Sequence, residues 1–172
     1  MIYTPDYNST STLHADVFLE KLKNEGYHTK DGMDTNYNGD NIKAVYNITP
    51  AAILIEEPDL ELFYVKDGYH CFMMYKGEIY RYETFGGYHH RLALWDYDDN
   101  GVKDLVSYYS CGSGILRLSV SVTDLTTMKG HTIITRDALG TGFSFDFDGE
   151  NVYIDGEILT YSDGEFHCGD MF

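Results

Sequence analysis

Residues 96–105 read D-Y-D-D-N-G-V-K-D-L, and this stretch decides how the rest of the chain is interpreted. Oxygen-bearing side chains stand at Asp96, Asp98, Asn100 and Asp104, which are positions 1, 3, 5 and 9 of a loop. Alternate residues of a tight loop point their oxygens at one centre, and Ca²⁺ takes six to eight oxygens at about 2.3–2.6 Å. Carboxylates this close in sequence repel one another unless a cation lies between them. The spacing therefore predicts a calcium loop.

The remaining positions of the loop refine this prediction. Gly101, at position 6, allows the sharp reversal that brings position 9 back to the ion. We expect a backbone carbonyl near Val102 to complete the shell, and Trp95, directly before the first ligand, to be largely buried. An EF-hand requires an acidic residue at position 12, where Ser107 stands. The alternative is a solvated turn, because Asp, Asn and Gly favour turns by themselves.

The loop and its surroundings resemble a known family. D-x-D-x-[DN]-G-x-x-D-[LI] is similar to the calcium loop of FG-GAP (VCBS-type) repeats, found in integrin α-subunit propellers and many bacterial surface proteins. Strand-like runs at residues 92–95 and 105–109 flank the loop. A turn at residues 112–114 and a strand at 115–122 resemble the continuation in single-module proteins of Firmicutes. The resemblance covers roughly residues 78–125 and implies a blade-like, calcium-binding unit that is usually exported.

Length and charge bound the class of protein. The chain has 172 residues and a formal net charge of −16. A chain of this length forms one domain, residues 1–172, with residues 1–12 as a loosely ordered arm. The charge disfavours direct binding to nucleic acid and to anionic membranes and favours cations or basic protein surfaces. No apolar run approaches the roughly 20 residues of a membrane span.

The N-terminus and the family resemblance point to different compartments. Residues 1–12 lack the basic and apolar regions of a signal peptide, which indicates a cytoplasmic protein or one whose signal has been removed. The FG-GAP resemblance implies export to the cell surface. Both localisations stay open at this point.

The sequence predicts one helix near the N-terminus. Residues 13–25 have helical periodicity, with Thr12 as the N-cap and Gly26 as the C-cap. The apolar stripe of this helix consists of Leu13, Val17, Phe18 and Leu22. We expect this stripe to pack on a sheet.

From residue 42 onward the pattern is strand after strand, separated by glycine-containing turns. Such spacing predicts a mainly β fold, with antiparallel sheets arranged as a sandwich or a partly closed barrel with blade-like hairpins. A complete propeller needs four or more blades of four strands and is excluded by length. The predicted strands are residues 44–48, 51–57, 60–66, 69–76, 78–84, 91–95, 104–109, 115–123, 131–135, 142–147, 151–154 and 157–161.

Two further turns repeat part of the calcium-loop pattern. Residues 34–39 place Asp34 at position 1 but Ile42 at position 9. Residues 144–149 place Asp146 and Asp148 at positions 3 and 5 but Val152 at position 9. Without a carboxylate at position 9 the site loses a ligand. We interpret both as turns, the second being a strand that runs into a turn.

Other chemistry is incomplete in the sequence. Cys71, Cys111 and Cys168 are odd in number and far apart, which argues against a disulfide framework. The pairs His70-Cys71 and His167-Cys168, with His89-His90, lack the paired spacings of a zinc site, so we interpret them as strand residues. Ser113 and Cys111 are nucleophiles with no histidine beside them in sequence. The sequence therefore predicts a protein without catalytic activity.

The chain is rich in tyrosine, with 16 of them, and Tyr75, Tyr80 and Tyr82 recur on predicted strands. Such a pattern is typical of a half-buried strand face, while exposed tyrosines anchor interfaces or stack on sugars. Two functions compete. The first is a calcium-binding module that binds a protein or glycan partner, and the second is an acidic inhibitor that occupies a basic nucleic-acid site on a partner protein, as anti-CRISPR or anti-restriction proteins do.

Overall fold

The fold is known from a computed structural model, which describes residues 1–29, 32–34, 44–66, 70–81, 89–112, 115–137 and 143–169. These residues form two helices, α1 (Ala15–Glu25) and α2 (Ala51–Glu56), and fourteen strands. The strands are β1 (Tyr27–Thr29), β2 (Gly32–Asp34), β3 (Val45–Asn47), β4 (Leu60–Val65), β5 (His70–Tyr75), β6 (Glu78–Arg81), β7 (His89–Trp95), β8 (Asp104–Cys111), β9 (Arg117–Asp124), β10 (Lys129–Asp137), β11 (Phe145–Phe147), β12 (Val152–Ile154), β13 (Glu157–Ser162) and β14 (Glu165–Cys168).

The strands form three sheets. The first has six strands in the order β2-β1-β6-β5-β4-β3, the middle sheet has the order β10-β9-β8-β7, and the third has the order β11-β12-β13-β14. The pairs are antiparallel, apart from a parallel bridge between β1 and β6. The predicted mainly β, antiparallel fold with an N-terminal helix is confirmed, and it takes the sandwich form.

Helix α1 covers the outer face of the first sheet. Phe18 and Leu22 are fully buried and pack with Phe63 and Phe72 of that sheet. The rings of Phe18 and Phe63 stack with centroids 4.4 Å apart. Truncating a buried phenylalanine to alanine costs about 3–5 kcal/mol, so this contact fixes the helix in place.

The middle sheet is covered on both faces. Alternate residues of β8 face opposite ways: Leu105 packs in the core shared with the first sheet and Val106 in the core shared with the third sheet. Leu92 and Ala93 of β7 divide in the same way. Burial on both faces explains why these strands lack the apolar and polar alternation of a surface sheet.

Most predicted strands are confirmed, but residues 51–57 are wrong: they form helix α2. The flanking strands β3 and β4 pair directly with each other, Val45 opposite Val65, and residues 51–56 form a short helix in the connection between them. The Ile53 N–H donates to the Pro50 carbonyl at 2.9 Å. Ile53 is buried whereas Ile55 is 81% exposed. Strands β1, β2 and β14 were not predicted.

The helix prediction needs two corrections. The N-cap is His14 in a left-handed conformation, not Thr12, while Gly26 is the C-cap as predicted. The buried stripe is Ala15, Phe18 and Leu22. Leu13 precedes the helix, and Val17 lies on its outer side, so both are exposed.

The first twelve residues lie against the sheets. Tyr3 is buried and forms a two-bond antiparallel bridge with Leu92 of β7, with both N–O distances 2.8 Å. The Tyr7 hydroxyl accepts a hydrogen bond from the His89 N–H at 2.6 Å. In the described part of the chain, no helix has the length and apolarity needed to cross a bilayer.

The tyrosines described by the structure belong to the interior. Tyr75 and Tyr80 are buried between the first and middle sheets, and Tyr82 lies outside the described residues. Every other tyrosine in the described ranges is buried or half-buried. Within the described ranges, the tyrosines therefore fill the interfaces between the three sheets, which suit large amphipathic rings.

Candidate metal centre

The loop of residues 96–103 joins β7 to β8. Trp95 and Asp104 are directly opposite each other in the hairpin register. Asp104, at position 9, therefore lies opposite the residue before position 1, and this pairing brings the two ends of the loop together. Asp99 (φ 58°) and Gly101 (φ 84°) adopt left-handed backbone conformations, and Gly101 needs a glycine's freedom for this reversal.

Three predicted ligands converge. One carboxylate oxygen from each of Asp96, Asp98 and Asp104 lies within 4.8 Å of the others. Two oxygens bound to the same Ca²⁺ are at most about 4.6–5.2 Å apart, which is twice the Ca–O distance. The three groups are thus spaced for a common ion. In the described part of the chain no other group of three histidine, cysteine or acidic residues has metal-binding spacing.

Backbone N–H groups hold the loop in shape. The Asp96 carboxylate accepts hydrogen bonds from Asn100 N–H at 3.0 Å and Gly101 N–H at 2.9 Å. Asn100 Oδ1 accepts from Val102 N–H at 2.7 Å. A carboxylate has about four lone-pair sites, so these bonds orient Asp96 and leave capacity for an ion. Val102 is half-buried against the core, which fixes the backbone at position 7.

Asp104 is the unusual member of the group. Its side chain is fully buried, and Oδ1 accepts a hydrogen bond from Leu125 N–H at 2.9 Å. Oδ2 is buried without a hydrogen-bond partner. Burial raises the pKa of Asp104 to about 7, the carboxylates of Asp124 and Asp98 add to the increase, and the backbone N–H groups of Leu125 and Tyr97 oppose it. A buried carboxylate oxygen with no donor is unfavourable unless a cation or proton occupies the site.

Tyr97, at position 2, anchors the loop. Its ring is buried and lies 4.8 Å from the ring of Tyr161 and 5.1 Å from that of Phe166, both in the third sheet. Asp96 and Asp98, on either side of this anchor in the chain, remain half-buried and exposed, respectively. The packing of Tyr97 against the third sheet therefore holds the part of the loop that contains Asp96 and Asp98.

Asp124 organises the neighbouring turn between β9 and β10. It accepts hydrogen bonds from Thr126 N–H at 2.7 Å and from Thr127 N–H at 2.9 Å, and the Tyr97 hydroxyl donates to it at 3.4 Å. Burial alone raises the pKa of Asp124, but the hydrogen bond from the Thr127 hydroxyl at 2.7 Å, together with these bonds, outweighs burial and lowers it. Asp124 thus stays ionised and positions the Leu125 N–H that holds Asp104.

One basic residue of the loop is held away from the acidic cluster. Lys103 Nζ lies 3.0 Å from Glu56 Oε2 at the end of α2. The Tyr3 hydroxyl also donates to Glu56, and this hydrogen bond, followed by that of Lys103, lowers the pKa of the carboxyl. Lys103 is therefore paired outside the site.

The other two aspartate turns differ. Asp34 ends β2 and accepts a hydrogen bond from the Tyr27 hydroxyl at 2.9 Å, and residues 35–42 lie outside the described ranges. Asp148 accepts bonds from Glu150 N–H, Asn151 N–H and the Tyr153 hydroxyl. The Tyr153 bond is the main reason why the pKa of Asp148 is well below its usual range. Hydrogen-bond donors from the turn and the strand after it therefore occupy the oxygens of Asp148.

The cysteines occupy separate places. Cys71 and Cys168 are buried, and Cys111 is half-buried with its Sγ 3.7 Å from Ser119 Oγ. Burial raises the pKa of Cys71 to about 12, so its thiol is protonated at neutral pH and is a poor ligand or nucleophile. Ser113 lies outside the described residues.

Sequence reasoning missed the residues that support the ligands. Tyr97 and Asp124 were not selected, although both carry signals. An aromatic residue between two acidic ones fits a strand that buries every second side chain, and an aspartate before Thr126 and Thr127 is typical of a turn closed by its side chain. Trp95, predicted to be largely buried, is half-buried.

Comparisons with known proteins give no family. No protein-family model matches the chain, and no curated protein or solved structure matches it. The functional interpretation therefore rests on the geometry of the site.

Proposed function

We propose that this protein is a calcium-binding, non-catalytic β module that binds a protein or glycan partner. Its calcium site consists of the side chains of Asp96, Asp98, Asn100 and Asp104, with the backbone carbonyl of Val102.

The observation that carries this proposal is the buried carboxylate of Asp104. An ordinary acidic turn keeps its carboxylates in water or in hydrogen bonds, whereas Asp104 Oδ2 has neither. One oxygen of Asp96 and one of Asp98 lie within 4.8 Å of an Asp104 carboxylate oxygen. Of the three, Asp98 is exposed, Asp96 is half-buried and only Asp104 is buried. Like charges this close repel one another, and one divalent cation relieves this repulsion and gives the buried Asp104 oxygen a partner.

The family resemblance supports the same assignment. The loop follows the first strand of a four-stranded antiparallel meander, β7 to β10, and four is the strand number of one propeller blade. In this proposal the chain has one such unit between two additional sheets, and calcium stabilises the β7–β8 hairpin of that unit.

The net charge of the chain indicates what kind of protein surface would bind it. A net charge of −16 attracts basic surfaces over a Debye length of about 8 Å in physiological salt. A second candidate function rests on this charge alone: an acidic inhibitor that occupies the basic nucleic-acid site of a partner protein. The convergent loop favours the calcium module, because an inhibitor of that kind has no need of a metal.

A pull-down from the native host separates the two functions. For the calcium module, capture of a protein partner is lost in chelator and is insensitive to added DNA. For the inhibitor, capture is unaffected by chelator, weakens steeply with salt and is displaced by DNA. A protein partner retained under all three conditions would contradict both.

A further inference from the structure

A cleft lies where β7, at the edge of the middle sheet, meets the third sheet. Its volume is about 360 Å³, close to the lower bound of about 300 Å³ for ligand pockets. The residues that line it are Arg91, Ser144, Phe145, Asp146, Tyr153 and Gly156. The cleft shares no residue with the loop of residues 96–104.

Arg91 is fixed at the wall of this cleft by the backbone. Its Nη1 donates a hydrogen bond to the carbonyl oxygen of Phe145 at 2.9 Å. Within the described parts of the chain, its guanidinium makes no salt bridge. A guanidinium has five N–H donors in a planar fork. Most of its donors are therefore available to a ligand.

Asp146 and Tyr153 also line the cleft. They are direct partners on β11 and β12, so their side chains share the face of the third sheet that points away from the core. Asp146 Oδ1 accepts from Phe147 N–H at 2.8 Å, which leaves Oδ2 as an acceptor. The Tyr153 hydroxyl donates to Asp148 at 2.7 Å, which fixes the ring.

We propose that this cleft binds a neutral hexose unit of a glycan. Vicinal hydroxyls of a sugar ring accept hydrogen bonds from the Arg91 fork and donate to Asp146, and the C–H face of the sugar packs on the half-buried Tyr153 ring. An anionic ligand is disfavoured by Asp146 and by the net charge of −16. The inference specifies the glycan partner of the proposed function and rests on that part of it.

The test is a titration of the isotope-labelled full chain, followed by nuclear magnetic resonance. The probes are the methyl glycosides of glucose, galactose and mannose, with sodium glucuronate as the anionic probe. We expect saturable shifts at residues 144–146 and 153–156 with at least one neutral glycoside, at the roughly millimolar affinity typical of a ligand this small.

Variants assign the binding to the cleft. Arg91→Ala and Asp146→Asn should each lower the affinity at least about tenfold, because each removes charge-assisted hydrogen bonds. Asp146 is exposed, so its variant tests the site even where Arg91→Ala fails to fold. The matched control is Arg117→Ala, which removes an exposed arginine paired with Asp137 and should leave the affinity unchanged.

Three results would overturn the inference: no saturable shift with any neutral glycoside, unchanged affinity in Asp146→Asn, or tighter binding of glucuronate than of the glycosides. Because the cleft is separate from the calcium loop, sugar binding should persist in chelator. Sugar binding without any calcium response would support this inference and contradict the calcium proposal. Calcium binding without any sugar binding would support the calcium proposal and contradict this inference.

Discussion

Two turns of this chain are similar in sequence and different in structure. In the loop of residues 96–104, carboxylates at positions 1 and 3 converge with a buried carboxylate at position 9. In the turn of residues 144–152, position 9 is Val152, which is buried in the core. Its cross-strand partner is Phe147, while Asp146 pairs with Tyr153 on the opposite face of the sheet.

The difference shows what separates an ion site from a closed turn. Asp148 in the second turn has its oxygens engaged by two backbone N–H groups and a phenol, and it is exposed. Asp104 in the first loop is enclosed with one oxygen unpartnered. Both turns contain aspartate and glycine, so composition alone does not distinguish them. Position 9 is buried in both turns, and it is a carboxylate in the first, Asp104, and an apolar side chain in the second, Val152.

The largest expected effect is at Asp104. Asp104→Asn should make the calcium-free protein more stable at about pH 8 by on the order of 4 kcal/mol, because a buried carboxylate with its pKa raised to about 7 is replaced by a neutral amide. Chemical denaturation in chelator measures this. Lower stability of the variant would mean that Asp104 is not an uncompensated charge.

The next effect is calcium stabilisation. Calcium at a hundredfold excess over Kd should stabilise the wild type by about 2.7 kcal/mol. Asp98→Ala should abolish this gain, since it removes the position 3 ligand. Asp148→Ala and Asp34→Ala are the controls in the two similar turns and should retain most of it. If stabilisation by calcium were lost in the two controls but kept in Asp98→Ala, the ion would bind in one of the other turns and not in the loop of residues 96–104.

The third effect is on pH dependence. A carboxyl group whose pKa is raised to about 7 in the folded state leaves stability unchanged below its ordinary pKa. The loss of folding stability caused by ionising the buried group then grows between about pH 4 and pH 7 and is constant at higher pH. The stability difference between Asp104→Asn and the wild type should follow this course in chelator. His89, with its pKa lowered to about 3 by burial, is common to both proteins and cancels in the difference.

The smallest effect is at Lys103. This lysine is 52% exposed and pairs with Glu56 outside the site, so Lys103→Met should change stability by about 0–1 kcal/mol. Calcium affinity should rise slightly, because a nearby positive charge is removed. A large loss of calcium binding in this variant would mean that Lys103, rather than the carboxylates, shapes the loop.

Much of this architecture could be predicted from the sequence. The strand and turn pattern gave the β fold because turn residues mark strand ends, and the 1-3-5-9 spacing selected the loop. Residues 51–57 were misread, because an apolar run is compatible with either a strand or a short helix.

The contacts that hold the site residues in place could not be predicted from the sequence. That Leu125 N–H holds Asp104, and that Tyr97 packs on the third sheet, depends on contacts between segments far apart in the chain. Arg91 and Tyr153 meet in one cleft for the same reason. Local patterns identify a loop's ligands, but tertiary packing sets whether a carboxylate is solvated or buried.

The most direct test of the central claim is isothermal titration of calcium into the wild type, Asp104→Asn and Asp148→Asn at about pH 8, where Asp104 is largely ionised. The account predicts one ion per chain for the wild type and Asp148→Asn, and no binding for Asp104→Asn. Equal binding by the wild type and Asp104→Asn, or no binding by any of the three proteins, would contradict it.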